Sequence, residues 1–328
     1  MKTFEFTIRK NLHNERLDIA MVELGIPLSR RKIRKVIDLG GAYLNNKRIR
    51  VASRQVQTGD TLKIHYQEQN LVNKPKATEW ELDANAIVYR SSDLVALNKP
   101  PGLPSQATLD QSLVHAETAL KEHISKKFND HRPLTLLHRL DKETSGILLF
   151  AHTPKTSEHI STQFRERKIK KTYLALVYGK PDWTIKSIDC LLSPIDKRLG
   201  VVRKVQDGGK QAVTEFRFID YSPEQNVSLV ACFPKTGRSH QLRKHLEILG
   251  SAIVGDKRYG PGNHPSLKDR MAELSATHHF LHAAAIELKQ VQSPGEILSI
   301  SAPVPPQFQE ALDLAGLKIP STLSCITS

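Results

Sequence analysis

The chain has 328 residues, 39% of them hydrophobic, which is enough for a sizeable core and allows two domains or one domain with an appendage. Lys and Arg total 48 against 34 Asp and Glu, a formal charge of +14, so RNA, DNA, anionic membrane surfaces or mere solubility all fit on charge alone. Cys190, Cys232 and Cys325 are scattered without C-x-x-C spacing, which excludes a disulfide framework or zinc site and fits a reduced, cytosolic setting.

Met1 to Phe6 alternates polar and apolar residues, as a strand does, and lacks the apolar core of a signal peptide. No run reaches the roughly 18 apolar residues of a membrane span, so a cytoplasmic protein with no membrane partner is expected. Leu17, Ala20, Met21 and Leu24 recur at helical spacing, and Gly25 terminates that helix. Ser29 is the expected N-cap of a second helix, with Leu28 and Ile33 placed for a hydrophobic staple. Ile33, Val36 and Ile37 form its apolar face, and Gly40 ends it. Arg30, Arg31, Arg34 and Lys35 fall largely away from that face, suiting either an RNA backbone or plain solvent. Ala42 to Leu44, a turn at Asn45-Asn46, an extended piece through Val51, and Gly59-Asp60 leading into Thr61 to Tyr66 complete a small module.

Gln67 to about Glu79, with Lys74-Pro75-Lys76, reads as a linker. Beyond it, strands are expected at Ala86–Tyr89, Leu94–Leu97, Ile147–Ala151, Tyr173–Tyr178, Val213–Phe218, Ser228–Phe233 and Ala283–Leu288. Helices are expected at Ser112–Ile124 and His240–Leu249. This alternation runs to around Pro306 and implies a sheet-based α+β enzyme domain. The tail after Leu317 ends polar and is expected to be loose.

The most informative stretch is His138-Arg139-Leu140-Asp141-Lys142-Glu143-Thr144-Ser145-Gly146, directly before an apolar strand. It sets Asp141 among cations, on a loop held by a rigid element. Three other segments accompany it in order: Leu97 to Pro104, Lys171 to Val177, and Thr236 to Leu246 continuing to Gly255-Asp256-Lys257-Arg258-Tyr259-Gly260. A later Leu281-His282-Ala283 also belongs to the set.

In these segments the chain resembles the RluA-type RNA pseudouridine synthases. The first module resembles an S4-like RNA-binding domain through Glu15 to Asp18, Ser29 to Ile33, the turn before Lys47, and Gly59-Asp60. The resemblance implies an α+β catalytic domain on a mixed, mainly antiparallel sheet. It gives an S4-like domain at 1–68, a linker at 69–80 and a catalytic domain at 81–328. It implies isomerisation of uridine to pseudouridine, with ribosomal RNA of the large subunit the favoured partner, a transfer RNA the alternative, and a monomer the default. A non-catalytic RNA-binding or ribosome-assembly factor is the competing class; it would be expected to lack the Asp.

Isomerisation breaks C1′–N1 and bonds C5 to C1′, so no redox cofactor, metal or nucleotide is required. By resemblance Asp141 is the catalytic carboxylate. It can stabilise a cationic C1′, take a sugar proton or attack covalently. Arg243 matches the residue that pairs with it, with orientation the expected effect because a free Asp is already ionised at neutral pH. Tyr173 matches the active-site tyrosine, expected to stack on an extruded uracil, since a phenol with a pKa of about 10 is a poor base. Extrusion costs a few kcal/mol of stacking; Arg139 is assigned to the vacated stack. Lys99 and Arg238 are expected near phosphates. His278, His279 and His282 invite a metal reading, but no Cys or carboxylate pattern accompanies them, and structural roles are favoured. Without G-x-S-x-G, Ser145 is not a hydrolase nucleophile. Lys244 and Ser239 depart from the common pattern, which usually has an apolar residue and a threonine there.

Overall fold

The computed structural model describes residues 2–66, 80–107, 114–196, 198–260, 269–275, 277–291 and 295–320. The chain divides into two units, Met1–Ala77 and Thr78–Ser328. The expected linker at 67–79 lies outside the described residues, as do Ser112, Cys325 and the end of the tail.

The N-terminal unit contains β1 (Lys2–Thr7), α1 (Leu17–Glu23), α2 (Arg30–Asp38), β2 (Ala42–Leu44), β3 (Lys47–Ile49) and β4 (Thr61–Tyr66). Its sheet has the order β1-β4-β2-β3. Asn45 and Asn46 both take positive φ, at 49° and 62°, the geometry a two-residue hairpin demands. Ser29 caps α2, its Oγ accepting from the Lys32 N–H at 3.4 Å. Leu17, Ala20 and Met21 from α1 meet Ile33, Val36 and Ile37 from α2 over Leu62 and Ile64. The basic residues of α2 are thereby left facing away from the core.

The second unit begins with β5 (Ile87–Arg90), β6 (Leu94–Lys99), α3 (Ala116–Phe128), β7 (Thr135–Leu136), β8 (Ser145–Ala151) and α4 (Pro154–Arg165). It continues with β9 (Lys170–Tyr178), β10 (Ile185–Leu192), β11 (Lys204–Val205), β12 (Lys210–Ser222), β13 (Val227–Pro234) and α5 (Gln241–Ile248). It ends with α6 (Asp269–Ser275), β14 (Leu281–Lys289), β15 (Ile297–Ser301) and α7 (Pro306–Ala315). Among the described residues these strands form one eleven-stranded sheet, with the path β11-β10-β12-β13-β9-β14-β8-β6-β5 and β15 and β7 joined to β14 and β8. Only β8 and β14 pair in parallel there. The sheet is therefore mixed and mainly antiparallel.

Burial on both faces explains the continuous apolar runs. Val95, Leu97, Leu148 and Phe150 face α3, whereas Leu94, Ala96, Ile147 and Leu149 face Ile160 of α4. Further along, Leu174, Leu176, Leu229 and Ala231 meet Phe308 and Leu312 of α7. The other face carries Ala175, Val177, Val230 and Cys232 against Leu242 and Leu246 of α5. Truncating either leucine to Ala should cost about 2–5 kcal/mol.

Three expectations need adjustment. The described helix α3 starts at Ala116 and runs past Ile124 to Phe128, where Asn129 closes it at φ 50°. The fold also does not finish near Pro306: α7 starts there and its apolar face completes a core. Trp80, placed at the end of the linker, packs with Leu82 in the second unit because its indole finds apolar cover there.

Candidate active site

Asp141 sits on the loop between β7 and β8, and its neighbours fix that loop through the backbone. The Leu140 N–H donates to Ser105 Oγ at 3.0 Å, and Ser105 Oγ donates back to the Leu140 carbonyl at 2.7 Å. The Gly102 N–H donates to the Lys142 carbonyl and the Thr144 N–H to the Asp141 carbonyl. Gly146, second in β8, has φ 106°, and any Cβ there would stand 2.3 Å from the Ala283 carbonyl oxygen. Only glycine allows β14 to approach so closely. Two imidazoles support the same turn, Thr144 Oγ1 lying 2.9 Å from His279 Nε2 and Ser145 Oγ 2.9 Å from His282 Nδ1. Burial pulls both rings down to about 4, so they are neutral. Among the described residues no cluster of three or more potential metal ligands occurs; His279 precedes β14 and His282 lies in it.

Arg243 reaches this loop from α5. Its Nη1 donates to Asp141 Oδ2 at 3.0 Å, while Nε and Nη2 donate to Asp256 at 2.6 and 2.8 Å. Asp256 Oδ1 also accepts the Arg258 and Tyr259 backbone N–H groups. Side-chain exposure falls from 27% at Asp141 to 8% at Arg243 and 0% at Asp256. The buried carboxylate thus fixes the guanidinium, and the guanidinium presents the exposed carboxylate. Burial pushes the Asp256 carboxyl up, but Arg243 outweighs it and holds the group at about 2. Burial opposes the Arg243 charge as well, and Asp256 and Asp141 more than restore it. On the same helix Lys244 pairs with Glu247, at 2.7 Å.

His240 caps α5 at φ 52°, an uncommon conformation for a residue with a side chain. Its Nε2 lies 3.9 Å from Asp141 Oδ2, and its Nδ1 lies 2.9 Å from the Tyr259 hydroxyl. That hydroxyl already accepts the Val202 N–H at 2.6 Å. Tyr259 thus joins the His240 ring to the Val202 backbone beside Asp141. Gln241 braces the preceding turn, its Oε1 accepting from the Arg238 N–H and Thr236 Oγ1.

Tyr173 on β9 lines the same cleft, of about 920 Å³. Burial pushes its phenol far above the ordinary value, and Asp141 and Cys232 add to that. These influences disfavour a phenolate. Among the described residues the cleft lining carries seven Lys and Arg side chains and a single carboxylate, Asp141. Such a surface concentrates polyanions and gives a developing cation one place to go.

Arg139 and Arg238 both line the cleft. Arg139 is exposed and has no hydrogen bond or ion pair among the described residues. Arg238 donates from Nε to the Gln211 carbonyl at 2.9 Å. Lys99 corrects the expectation of a phosphate contact. It is 0% exposed, and its Nζ donates to the carbonyls of Pro100, Leu103 and Lys142 at 2.8–2.9 Å. Burial draws the ammonium down to about 7, opposed by Glu143 and Asp141. It ties the end of β6 to the Asp141 loop, and no donor is left for RNA.

In the N-terminal unit, Arg30 and Arg34 do not simply extend into solvent. Both donate from Nε to Asp18 Oδ2, at 3.1 and 2.7 Å, and Arg16 donates to Oδ1 at 3.0 Å. Asp18 is 0% exposed; the three guanidiniums are 42–49% exposed. Arg31 is exposed and Lys35 half-buried on the same helix. The residues that sequence reasoning left without a role are Asp18, His240, Asp256 and Tyr259. All four stood inside quoted segments, and for Asp256 an acid amid cations was the available signal.

A profile described as RNA pseudouridylate synthase matches residues 93–248, and one described as S4 domain matches residues 15–62. Curated relatives named ribosomal large subunit pseudouridine synthase C include one from Rickettsia bellii, 32% identical over 89% of this chain and 95% of the relative. Another, from Vibrio cholerae, is 31% identical over 85% of this chain and 86% of its own. A solved human structure, RNA Pseudouridylate Synthase Domain Containing 4, superposes with a TM-score of 0.59 at 26% identity, covering 72% of this chain and 95% of that one. The chain belongs to the RNA pseudouridylate synthase family and carries an S4 domain in its N-terminal unit.

Proposed function

We propose that this RNA pseudouridine synthase isomerises uridines in large-subunit ribosomal RNA, with Asp141 acting on the sugar of an everted nucleotide. The observation that carries the reading is the Asp256–Arg243–Asp141 chain ending in a basic cleft with one carboxylate. The relatives' printed names support the choice of RNA.

In the reaction C1′–N1 breaks, C5 bonds to C1′, the C5 proton leaves and N1 gains one. Positive charge gathers on C1′ as its bond breaks, and Asp141 is the anion available to meet it. Whether the carboxylate bonds to C1′ or draws a sugar proton, Arg243 serves the same end by fixing its direction. Tyr173 stacks on the uracil while it turns; its raised phenol argues against proton abstraction. Arg139, exposed two residues from Asp141, fills the gap the base leaves in its stem. Arg16, Arg30 and Arg34, gathered on Asp18, offer their outer edges to RNA phosphates, with Arg31 and Lys35 alongside. A monomer is taken as the working unit. No described helix is long and apolar enough to cross a membrane.

The test is to map pseudouridines chemically in RNA from cells with and without this protein. Defined positions in large-subunit ribosomal RNA should revert to uridine without it. Loss confined to transfer RNA, or no loss, would overturn the reading.

A further inference from the structure

Lys171 is a cation the chemistry above does not use. It lies on β9, two residues before Tyr173, so both side chains project from the same face, about 6–7 Å apart along the strand. Both line the large cleft and the smaller cavity of about 110 Å³ around Asp141. Lys171 is only half-exposed, yet its side chain has no hydrogen bond or ion pair among the described residues. The contrast with its neighbour Lys170 is informative, because that exposed lysine pairs with Glu287 at 3.3 Å. Burial draws the Lys171 ammonium down to about 8, with nothing to oppose it. An ammonium set into a wall without an acceptor is poorly solvated, and an anion arriving there relieves that cost. The neighbouring His138 supplies none: it is neutral, drawn down to about 3 by burial, and its Nε2 is occupied by the Leu149 N–H.

We propose that Lys171 anchors a backbone phosphate of the nucleotide whose base stacks on Tyr173. The separation along β9 is comparable to the span from a nucleobase to the phosphate of its own nucleotide. Tyr173 then receives the base, Asp141 the sugar and Lys171 the phosphate, so one strand and one loop read all three parts. Arg165 and Arg167, on the same cleft wall, continue the basic track beyond this nucleotide. The inference rests on the reading that the cleft accepts an everted uridine.

The test uses the full-length chain with Asp141→Asn, which prevents turnover, alone and combined with Lys171→Met or Lys171→Arg. The probe is an RNA fragment spanning a uridine that the wild type converts. A second fragment carries neutral methylphosphonates at the two phosphates flanking that uridine. On native RNA, Lys171→Met should weaken binding on the order of tenfold at low salt and reduce the salt slope by about one. Lys171→Arg should retain most of the affinity. Neutralising the phosphates should weaken the Lys171-containing protein by a similar factor and add little to Lys171→Met. Met fills a half-buried site well, so its thermal midpoint should stay at or above the parent's and a folding defect would be visible. An unchanged slope, or full methylphosphonate sensitivity in Lys171→Met, overturns the proposal. If the Asp141 reading is what fails, it shows separately, as pseudouridine formed by the Asp141→Asn protein.

Discussion

Each unit contains a carboxylate–guanidinium cluster, and the two are arranged in opposite senses. In the N-terminal unit one buried carboxylate, Asp18, gathers three half-exposed guanidiniums. In the second unit a buried guanidinium, Arg243, stands between the buried Asp256 and the part-exposed Asp141. In both, the buried member is fully engaged and the exposed member faces outward with capacity to spare. The surplus charge is therefore positive in the first cluster and negative in the second. The first suits phosphates, and the second suits a carbon that turns cationic. The buried partner specifies geometry, and the exposed partner is what the site offers to RNA.

The comparison sharpens most if the exposed member of the second cluster is neutralised. Asp141→Asn should lower turnover by at least about 10³-fold, measured as tritium released from C5-labelled uridine, with an unchanged melting temperature. Replacing the guanidinium that presents it comes next. Arg243→Lys keeps a charge but loses the fork that holds two carboxylates, so turnover should fall on the order of 10²-fold while RNA affinity stays within a few fold. An equal loss in KM alone would mean that Arg243 binds RNA rather than orienting Asp141.

Tyr173 separates stacking from proton transfer. Tyr173→Phe keeps the ring and should cost only a few fold in rate, whereas Tyr173→Leu should cost on the order of tenfold or more. A large loss in the Phe variant would return the hydroxyl to the chemistry.

The smallest effect belongs to the first cluster. Asp18→Asn should destabilise the chain by about 1–3 kcal/mol at pH 7 and weaken RNA binding without changing single-turnover rates at saturation. The Asp18 carboxyl is held at about 2, because the three guanidiniums outweigh burial, against an ordinary 3.8. A depressed carboxyl stabilises the fold fully above its unfolded value and loses that contribution as pH falls through its folded value. The difference between wild type and Asp18→Asn should therefore be full above pH 4 and vanish towards pH 2, as followed by denaturant unfolding.

Elements buried on both faces were the readable ones. Leu94–Leu97 and Ile147–Ala151 are apolar without interruption because α3 and α4 cover opposite sides of them. β10 escaped sequence reasoning because Ile185 to Cys190 is largely exposed and shows neither alternation nor an apolar run. α4 had a legible start in Thr153-Pro154, where Thr153 Oγ1 accepts the Thr156 N–H at 3.2 Å, but its stripe is weak. In the candidate site, Asp141, Tyr173 and Arg243 were proposed from motifs. Their contact spans 102 residues between Asp141 and Arg243, a separation that periodicity cannot reveal. Lys99 was misjudged for a related reason. A lysine after an apolar strand ordinarily reaches solvent, and only the folded loop supplies three carbonyls to keep it inside.

The central claim is that the carboxylate of Asp141, and no other group in the cleft, carries the isomerisation. It is tested most directly by measuring RNA bound and C5 tritium released in the same samples of wild type and Asp141→Asn. Undiminished binding with no detectable release is the predicted result. Release from Asp141→Asn within tenfold of wild type would contradict the account.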